Sequence, residues 1–285
     1  MKKELIAQRT PKSPIAEVFR TLRTNIQFMH SKKTMKTLLV TSTMPGEGKS
    51  WVSANLAITF AQAGKKVLII DADMRKGRQH KMFNVENKVG LSNFLSGIDE
   101  MGRNENLDIL KYVKATEIQN LYLIPAGNVP PNPSELLASE TTIDMIEKLK
   151  DVFDFIIFDG TPSLLVTDAL IVARLVDSTV IVTSHNSTKK DNLEKVKKDI
   201  ENVGGKIAGI ILNKIPINAK KYMDTYYYSS TNLPATTKKS STSKERINNN
   251  RETQNKTDYI FEKNDIISSE RTQEIIEELN KYLKK

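Results

Sequence analysis

The 285-residue sequence predicts an α/β domain: a doubly wound, mostly parallel sheet with helices on both faces. Three observations predict it. Six apolar runs of strand length are nearly continuous rather than alternating, as expected of strands covered on both sides. Helix-like stretches separate most of them, the order that builds parallel sheets. A glycine-bearing turn, Pro45-Gly46-Glu47-Gly48-Lys49-Ser50, falls between the first strand run and the helix after it.

In chain order, Ser13–His30 reads as an amphipathic helix. Ser13 serves as N-cap and Pro14 as the first helical residue. Ile15, Val18, Phe19, Leu22, Ile26 and Met29 recur at three- and four-residue steps. The strand runs are Thr37–Thr41, Val67–Ile70, Leu121–Ile124, Phe155–Phe158, Thr179–Val182 and Ile207–Leu212. The helical stretches are Lys49–Ala63, Ser134–Ala138, Thr142–Lys150, Asp168–Leu175 and Lys189–Val203. After Lys220 the character changes. Four of the eight tyrosines crowd into Tyr222–Tyr228, and Ser229–Asn255 has almost no apolar residue, so disorder is expected there. Ser269–Leu283 places Ile275, Ile276, Leu279, Tyr282 and Leu283 on one side and is expected to form a short docking helix. The divisions are residues 1–36, 37–220, 221–228 and 229–285.

Composition removes several functions. Without cysteine there are no disulfides, thiolate metal sites or cysteine nucleophile, and a reducing cytoplasm is expected. Three scattered histidines argue against a histidine-rich metal site. No apolar run approaches the ~18 residues of a membrane span, and Met1-Lys2-Lys3-Glu4 leads into no signal-peptide core. A net charge of +9 makes nucleic acid the first partner to consider. However, nine basic and two acidic residues place +7 within residues 1–36, while residues 37–228 sum to zero and 229–285 to +2. A neutral body weakens that reading, and no nucleic-acid partner is expected.

The turn is a phosphate-binding loop by context, strand before and helix after. Gly46 and Gly48 permit close approach of main-chain N–H groups to phosphates. Lys49 is placed to bridge β- and γ-phosphate oxygens, and the Ser50 hydroxyl to ligate Mg²⁺. One departure is Thr43, where the general pattern has glycine. Asp71 and Asp73 end the second strand one residue apart, and Asp159 ends a buried strand, all at the edge where such sheets bind ligands. One or two carboxylates with Ser50 and phosphate oxygens suffice for Mg²⁺. Asn213, ending another strand, suits either an adenine edge or a turn.

These residues resemble the bacterial tyrosine kinases, specifically the cytoplasmic kinases that accompany capsule or exopolysaccharide synthesis in Gram-positive bacteria. Pro45–Ser50 corresponds to Walker A, Leu68–Arg75 to the additional acidic Walker A′ motif and Ile156–Asp159 to Walker B. Glu17, Arg20 and Arg23 match the family's E-x-x-R-x-x-R oligomerisation motif, Tyr222–Tyr228 its tyrosine cluster, and Val129–Leu137 is also similar. The likeness spans about residues 10–228. Two features depart from the pattern: Gly160-Thr161-Pro162 after Asp159, and the long tail beyond Tyr228.

The resemblance implies a P-loop NTPase-like fold, ATP and Mg²⁺ as cofactors, and autophosphorylation. Pro45, Gly46, Glu47, Gly48, Lys49, Ser50, Trp51 and Asn213 would bind the nucleotide. Lys49, Asp71 and Asp73 would be catalytic, with Asp71 favoured as base. Ser50, Asp73 and Asp159 would hold the metal, and Tyr222, Tyr226, Tyr227 and Tyr228 would accept phosphate. Glu17, Arg20 and Arg23 would join subunits into a ring-shaped homo-oligomer. A tail tethered close to its own crevice enters a neighbour's more readily, so phosphorylation in trans is expected. The other implied partners are a separate transmembrane modulator, which would hold the kinase at the inner face of the membrane, and further protein tyrosine substrates. The basic N-terminal segment suits subunit contacts and an anionic membrane surface. The competing reading is a partitioning or positioning ATPase without kinase activity. Such relatives carry a second lysine early in the loop, where Thr43-Met44-Pro45 has none.

Overall fold

The computed structural model describes residues 4–29, 35–98 and 108–216. The tyrosine cluster at 222–228, the tail at 229–285 and the expected helix within it lie outside the described residues. Residues up to Ile215 form one unit by themselves.

Two helices come first, α1 (Ile6–Arg9) and α2 (Pro14–Phe28). They precede β1 (Thr37–Ser42), α3 (Lys49–Gln62), β2 (Val67–Asp71), α4 (Gln79–Phe83) and α5 (Leu91–Ser96). The chain continues through β3 (Lys114–Ala115), β4 (Leu121–Ile124), α6 (Pro133–Leu137), α7 (Glu140–Val152) and β5 (Phe155–Pro162). It ends with α8 (Asp168–Leu175), β6 (Ser178–Ser184), α9 (Lys190–Asn202) and β7 (Ile207–Asn213).

The seven strands lie in the order β3-β4-β2-β5-β1-β6-β7, parallel throughout except for β3 against β4. Alternate residues feed two cores. Leu39, Leu68, Ile70, Ile156 and Phe158 pack with residues of α7, α8 and α9 on one face. Leu38, Val40, Ile69 and Ile157 pack with residues of α2 and α3 on the other. Both faces are therefore apolar, which explains the unbroken hydrophobic runs. The order reverses at β1, whose neighbours are β5 and β6, and a crevice opens beyond the strands' C-terminal ends as the doubly wound topology requires.

α2 begins as expected: the Ser13 hydroxyl accepts from the Ala16 N–H and Pro14 follows as the first residue. Its apolar stripe is only partly buried, however. Ala16, Phe19 and Ile26 are inside, whereas Val18 and Met29 are 50% and 49% exposed. The helix lies on α3, and one helix seats only a narrow strip of its neighbour. Among the described residues no helix is long and apolar enough to cross a membrane.

Candidate active site

The loop between β1 and α3 is held from inside. Buried Glu47 turns its carboxylate back to accept from the N–H groups of Thr43 (2.7 Å) and Met44 (2.9 Å) and from the Thr43 hydroxyl (2.8 Å). The Thr188 hydroxyl donates to the same carboxylate. Thr43 thus departs from the usual glycine because it is Glu47's partner, and Glu47 offers a ligand only its main chain. Gly48 caps α3 with φ +102°, and a Cβ there would lie 2.1 Å from Asn213 Nδ2. Glycine is needed on both counts. Asn213 donates from Nδ2 to the Glu47 carbonyl (2.9 Å), while its Oδ1 accepts from the Lys214 N–H (2.8 Å). It clasps the loop to the end of β7. Trp51 sets its ring edge-on to Phe19 of α2, centroids 5.1 Å apart, so only its main chain belongs to the phosphate loop.

The β2–β5 register places Asp71 directly opposite Asp159. Asp71 ends β2 as expected, whereas Asp159 lies inside β5, which runs on to Pro162; the two are wholly buried. Lys49 folds over them, its Nζ 3.0 Å from Asp73 Oδ2, 3.9 Å from Asp159 Oδ1 and 3.4 Å from Ser50 Oγ. Burial alone would lower the Lys49 pKa, but the Asp159 and Asp73 carboxylates outweigh it and hold it above its ordinary value. Burial, reinforced by Asp159, pushes Asp71 up to about 8. Asp71 Oδ2 accepts from the Gln79 N–H (2.9 Å), and its Oδ1 is buried with no hydrogen-bond partner among the described residues. The Lys49 side chain is 11% exposed and that of Asp73 6%, so this ion pair lines the opening.

These residues fit a nucleotide and a divalent ion. The loop's glycines leave main-chain N–H groups at the N-terminus of α3, where anions are favoured. Among the described residues no three acidic or histidine side chains gather closely enough to hold a metal by themselves. Mg²⁺ characteristically takes one or two carboxylates and fills its shell with phosphate oxygens and water. Ser50 Oγ, Asp73 and Asp159, the oxygens the sequence leads one to expect around it, all lie near the Lys49 ammonium.

The motifs of the sequence did not include three residues that shape this crevice. Gln79, wholly buried, bonds to Asp71, Asp159 and Ser50. Ser53 Oγ lies 3.4 Å from Asp159 Oδ1. Asp168, at the start of α8, accepts from Arg75 Nε (2.8 Å) and Nη2 (3.1 Å) and from Ser134 Oγ (2.6 Å), tying the loop after β2 to α6 and α8. Burial would raise the Asp168 pKa, but these bonds prevail and hold it below the ordinary carboxylate range. Only Arg75 carried a prior signal, as the last residue of the A′ stretch.

The three α2 residues stand apart from the crevice. Arg20 pairs with Glu17 and with the Pro11 carbonyl, and Arg23 Nη1 donates to the Thr59 carbonyl of α3 (2.8 Å).

Residues 35–212 match the family model described as an AAA domain. The chain is 42% identical over 218 residues to the putative tyrosine-protein kinase CapB of Staphylococcus aureus, covering 76% of this chain and 91% of that protein. It is 39% identical over 228 residues to the tyrosine-protein kinase YwqD of Bacillus subtilis, covering 80% and 92% respectively. The crystal structure of the chimerical protein CapA2B2 superposes with a TM-score of 0.70 at 38% identity, covering 75% of this chain and 91% of that one. The relatives favour the kinase over the positioning-ATPase alternative, and with strand order, loop and paired carboxylates all in agreement the chain belongs to the bacterial tyrosine-protein kinases.

Proposed function

We propose that this kinase transfers the γ-phosphoryl group of ATP to its own tyrosine cluster, Tyr222, Tyr226, Tyr227 and Tyr228, in trans within a ring, and so regulates capsular or exopolysaccharide synthesis and export. The observation that carries the reading is the juxtaposition of Lys49 and the β2–β5 carboxylate pair beside the phosphate loop. Phosphoryl transfer is mostly positioning and charge neutralisation, and that arrangement supplies both.

The loop N–H groups and Lys49 hold the triphosphate, Lys49 leaving Asp73 for the β- and γ-oxygens. Bound Mg²⁺ would neutralise charge on those oxygens, held by Ser50, Asp73 and Asp159. Asp71 takes the phenolic proton. Its elevation to about 8 belongs to the metal-free crevice, where it holds a proton of its own; a bound divalent ion beside Asp73 and Asp159 would favour the ionised form that accepts the phenolic proton. The tyrosine oxygen bonds to the γ-phosphorus as the bond to ADP breaks. The Glu17 helix supplies subunit contacts, and a membrane-spanning modulator anchors the ring at the inner face of the membrane and stimulates it. Phosphates on the cluster add about −1.5 to −2 charges each and drive the ring apart.

The test mixes two proteins with Mg-ATP and the modulator's cytoplasmic segment: Lys49→Met, which keeps the cluster, and a variant with all four cluster tyrosines changed to phenylalanine. Phosphotyrosine on the Lys49→Met chains, read by mass spectrometry, supports transfer in trans. ATP hydrolysis without phosphotyrosine in the unaltered protein would reject the proposal.

A further inference from the structure

Gln79 belongs to none of the three nucleotide-site motifs yet touches all of them. It opens α4 and has no exposed surface. Its Nε2 donates to Asp159 Oδ2 (2.8 Å) and to the Ser50 carbonyl (3.0 Å), and its main-chain N–H donates to Asp71 Oδ2 (2.9 Å). Three groups, one each from β5, α3 and β2, thereby share one residue.

The two sides of this amide are used unequally. Both Nε2 hydrogens are engaged, while Oε1 is buried without a hydrogen bond among the described residues. A buried acceptor left unmet disfavours the folded state. The side chain is therefore held for what it donates. Its first hydrogen occupies Asp159 Oδ2 and fixes the carboxylate plane, which leaves Oδ1 facing Ser53 Oγ (3.4 Å) and Lys49 Nζ (3.9 Å). Its second hydrogen pins the carbonyl of Ser50, the residue whose hydroxyl faces the phosphate loop. The two donors hold Asp159 and Ser50, whose Oδ1 and Oγ lie 3.9 Å and 3.4 Å from the same Lys49 Nζ.

We propose that Gln79 is a positioning residue for the phosphoryl-transfer site, aiming Asp159 Oδ1 and Ser50 at a divalent metal beside the nucleotide; the proposal rests on the reading that Asp159 and Ser50 face that metal. Partners that orient metal-facing groups characteristically alter metal affinity or activity 10- to 100-fold when removed.

The test compares the full chain with Gln79→Met, which keeps the volume, and Gln79→Glu, which keeps the shape; each removes both Nε2 donors, to Asp159 and to the Ser50 carbonyl. All measurements are made well below each variant's melting temperature. Titration of MgCl₂ into protein with ADP, followed by calorimetry, gives the magnesium requirement apart from turnover. We expect Gln79→Met to raise that requirement about 10- to 100-fold and to lower kcat by a similar factor at sub-saturating magnesium, with ADP affinity in the absence of metal changed less than about threefold. Gln79→Glu follows Gln79→Met. A lowered melting temperature with an unaltered magnesium requirement overturns the proposal, as does a Gln79→Glu protein that behaves like the unaltered chain. Asp159→Asn reports on the underlying reading. An unaltered magnesium requirement there rejects Asp159 as a metal-facing group and the proposal with it; a raised requirement there beside a normal one in Gln79→Met rejects the proposal alone.

Discussion

Both ends of the central sheet carry aspartates, and their surroundings are opposite. At the N-terminal end, Asp177 Oδ2 accepts from the N–H groups of Lys36 and Thr37 and from the Thr37 hydroxyl, each at 2.9 Å. Thr37 Oγ1 in turn accepts from the Asp177 N–H at 2.8 Å. Burial alone would raise the Asp177 pKa, but these donors prevail and hold it below the ordinary carboxylate range. At the C-terminal end, Asp71, Asp73 and Asp159 share Lys49, Asp71 is pushed up to about 8, and one of its oxygens has no partner among the described residues. An aspartate beside a strand end is therefore ambiguous until its hydrogen bonds are counted. A satisfied carboxylate closes the fold, whereas a crowded one with spare valence is poised for a ligand.

The largest effect tests the crowded end. Lys49→Met removes the main countercharge of three carboxylates and the group placed to hold the transferred phosphate. Phosphotyrosine formation is expected to fall by at least about 1,000-fold, measured as initial rate on a peptide bearing the cluster sequence. A variant retaining a tenth of the activity would show that the crevice's positive charge comes from elsewhere.

Next in size is the satisfied end. Asp177→Ala leaves two buried-edge N–H groups and a hydroxyl without their acceptor, and is expected to destabilise the fold by about 2–3 kcal/mol in chemical denaturation. Nucleotide affinity of the folded fraction should stay within twofold. If ATP binding collapsed while stability held, the division between a closing end and a working end would be wrong.

The two ends also differ in the sign of their pH dependence. Asp71 has a folded-state pKa raised to about 8 from an ordinary 3.8, so the folded state binds the extra proton in between. Its contribution is full below the ordinary value and is lost as pH rises towards 8. Asp177 is lowered, so its contribution is present above the ordinary range and is lost on acidification. In metal-free protein, Asp71→Asn should therefore gain on the unaltered chain between pH 5 and 8 by at least about 1 kcal/mol, since one pKa unit is worth 1.36 kcal/mol. A parallel pair of stability curves would show that Asp71 is not held protonated.

Much of this contrast was legible in the sequence, and the remainder was not for identifiable reasons. Apolar runs located six strands, but β3 is two residues of mixed burial and carries no period. The run Phe155–Phe158 ends at Asp159, while β5 continues to Pro162 because Ser42 of β1 still pairs there. The five- and six-residue helices α4 and α5 are too short for a helical repeat to show. At the site, Lys49, the two glycines and the three aspartates announce themselves because phosphate and metal chemistry demands those residue types at those spacings. Gln79 and Asp168 do not: each acts on a partner 80 or 93 residues away, a pairing that only the strand order creates. Glu47 shows the converse, a residue within the motif whose side chain serves the loop's shape rather than a ligand.

The smallest effect takes the same rule to the surface. Glu17 and Arg20 form a satisfied pair on α2, with side chains 39% and 31% exposed, and Arg20 also meets the Pro11 carbonyl. By the criterion drawn from the sheet ends this pair is structural, whereas the resemblance in sequence implies a subunit contact, the role proposed above. Exposed pairs contribute little to a single chain, so Arg20→Ala should change monomer stability by no more than about 0.5 kcal/mol. Arg23→Ala should cost more, about 1 kcal/mol, because its guanidinium donates to the Thr59 carbonyl at the last turn of α3. Native mass spectrometry separates the readings. If Arg20→Ala leaves the folded protein intact but dissolves its oligomer, hydrogen-bond satisfaction within a protomer identifies structural groups only where the groups are buried. At an exposed helix face the same two side chains hold their shape alone and remain free to exchange partners with a neighbour.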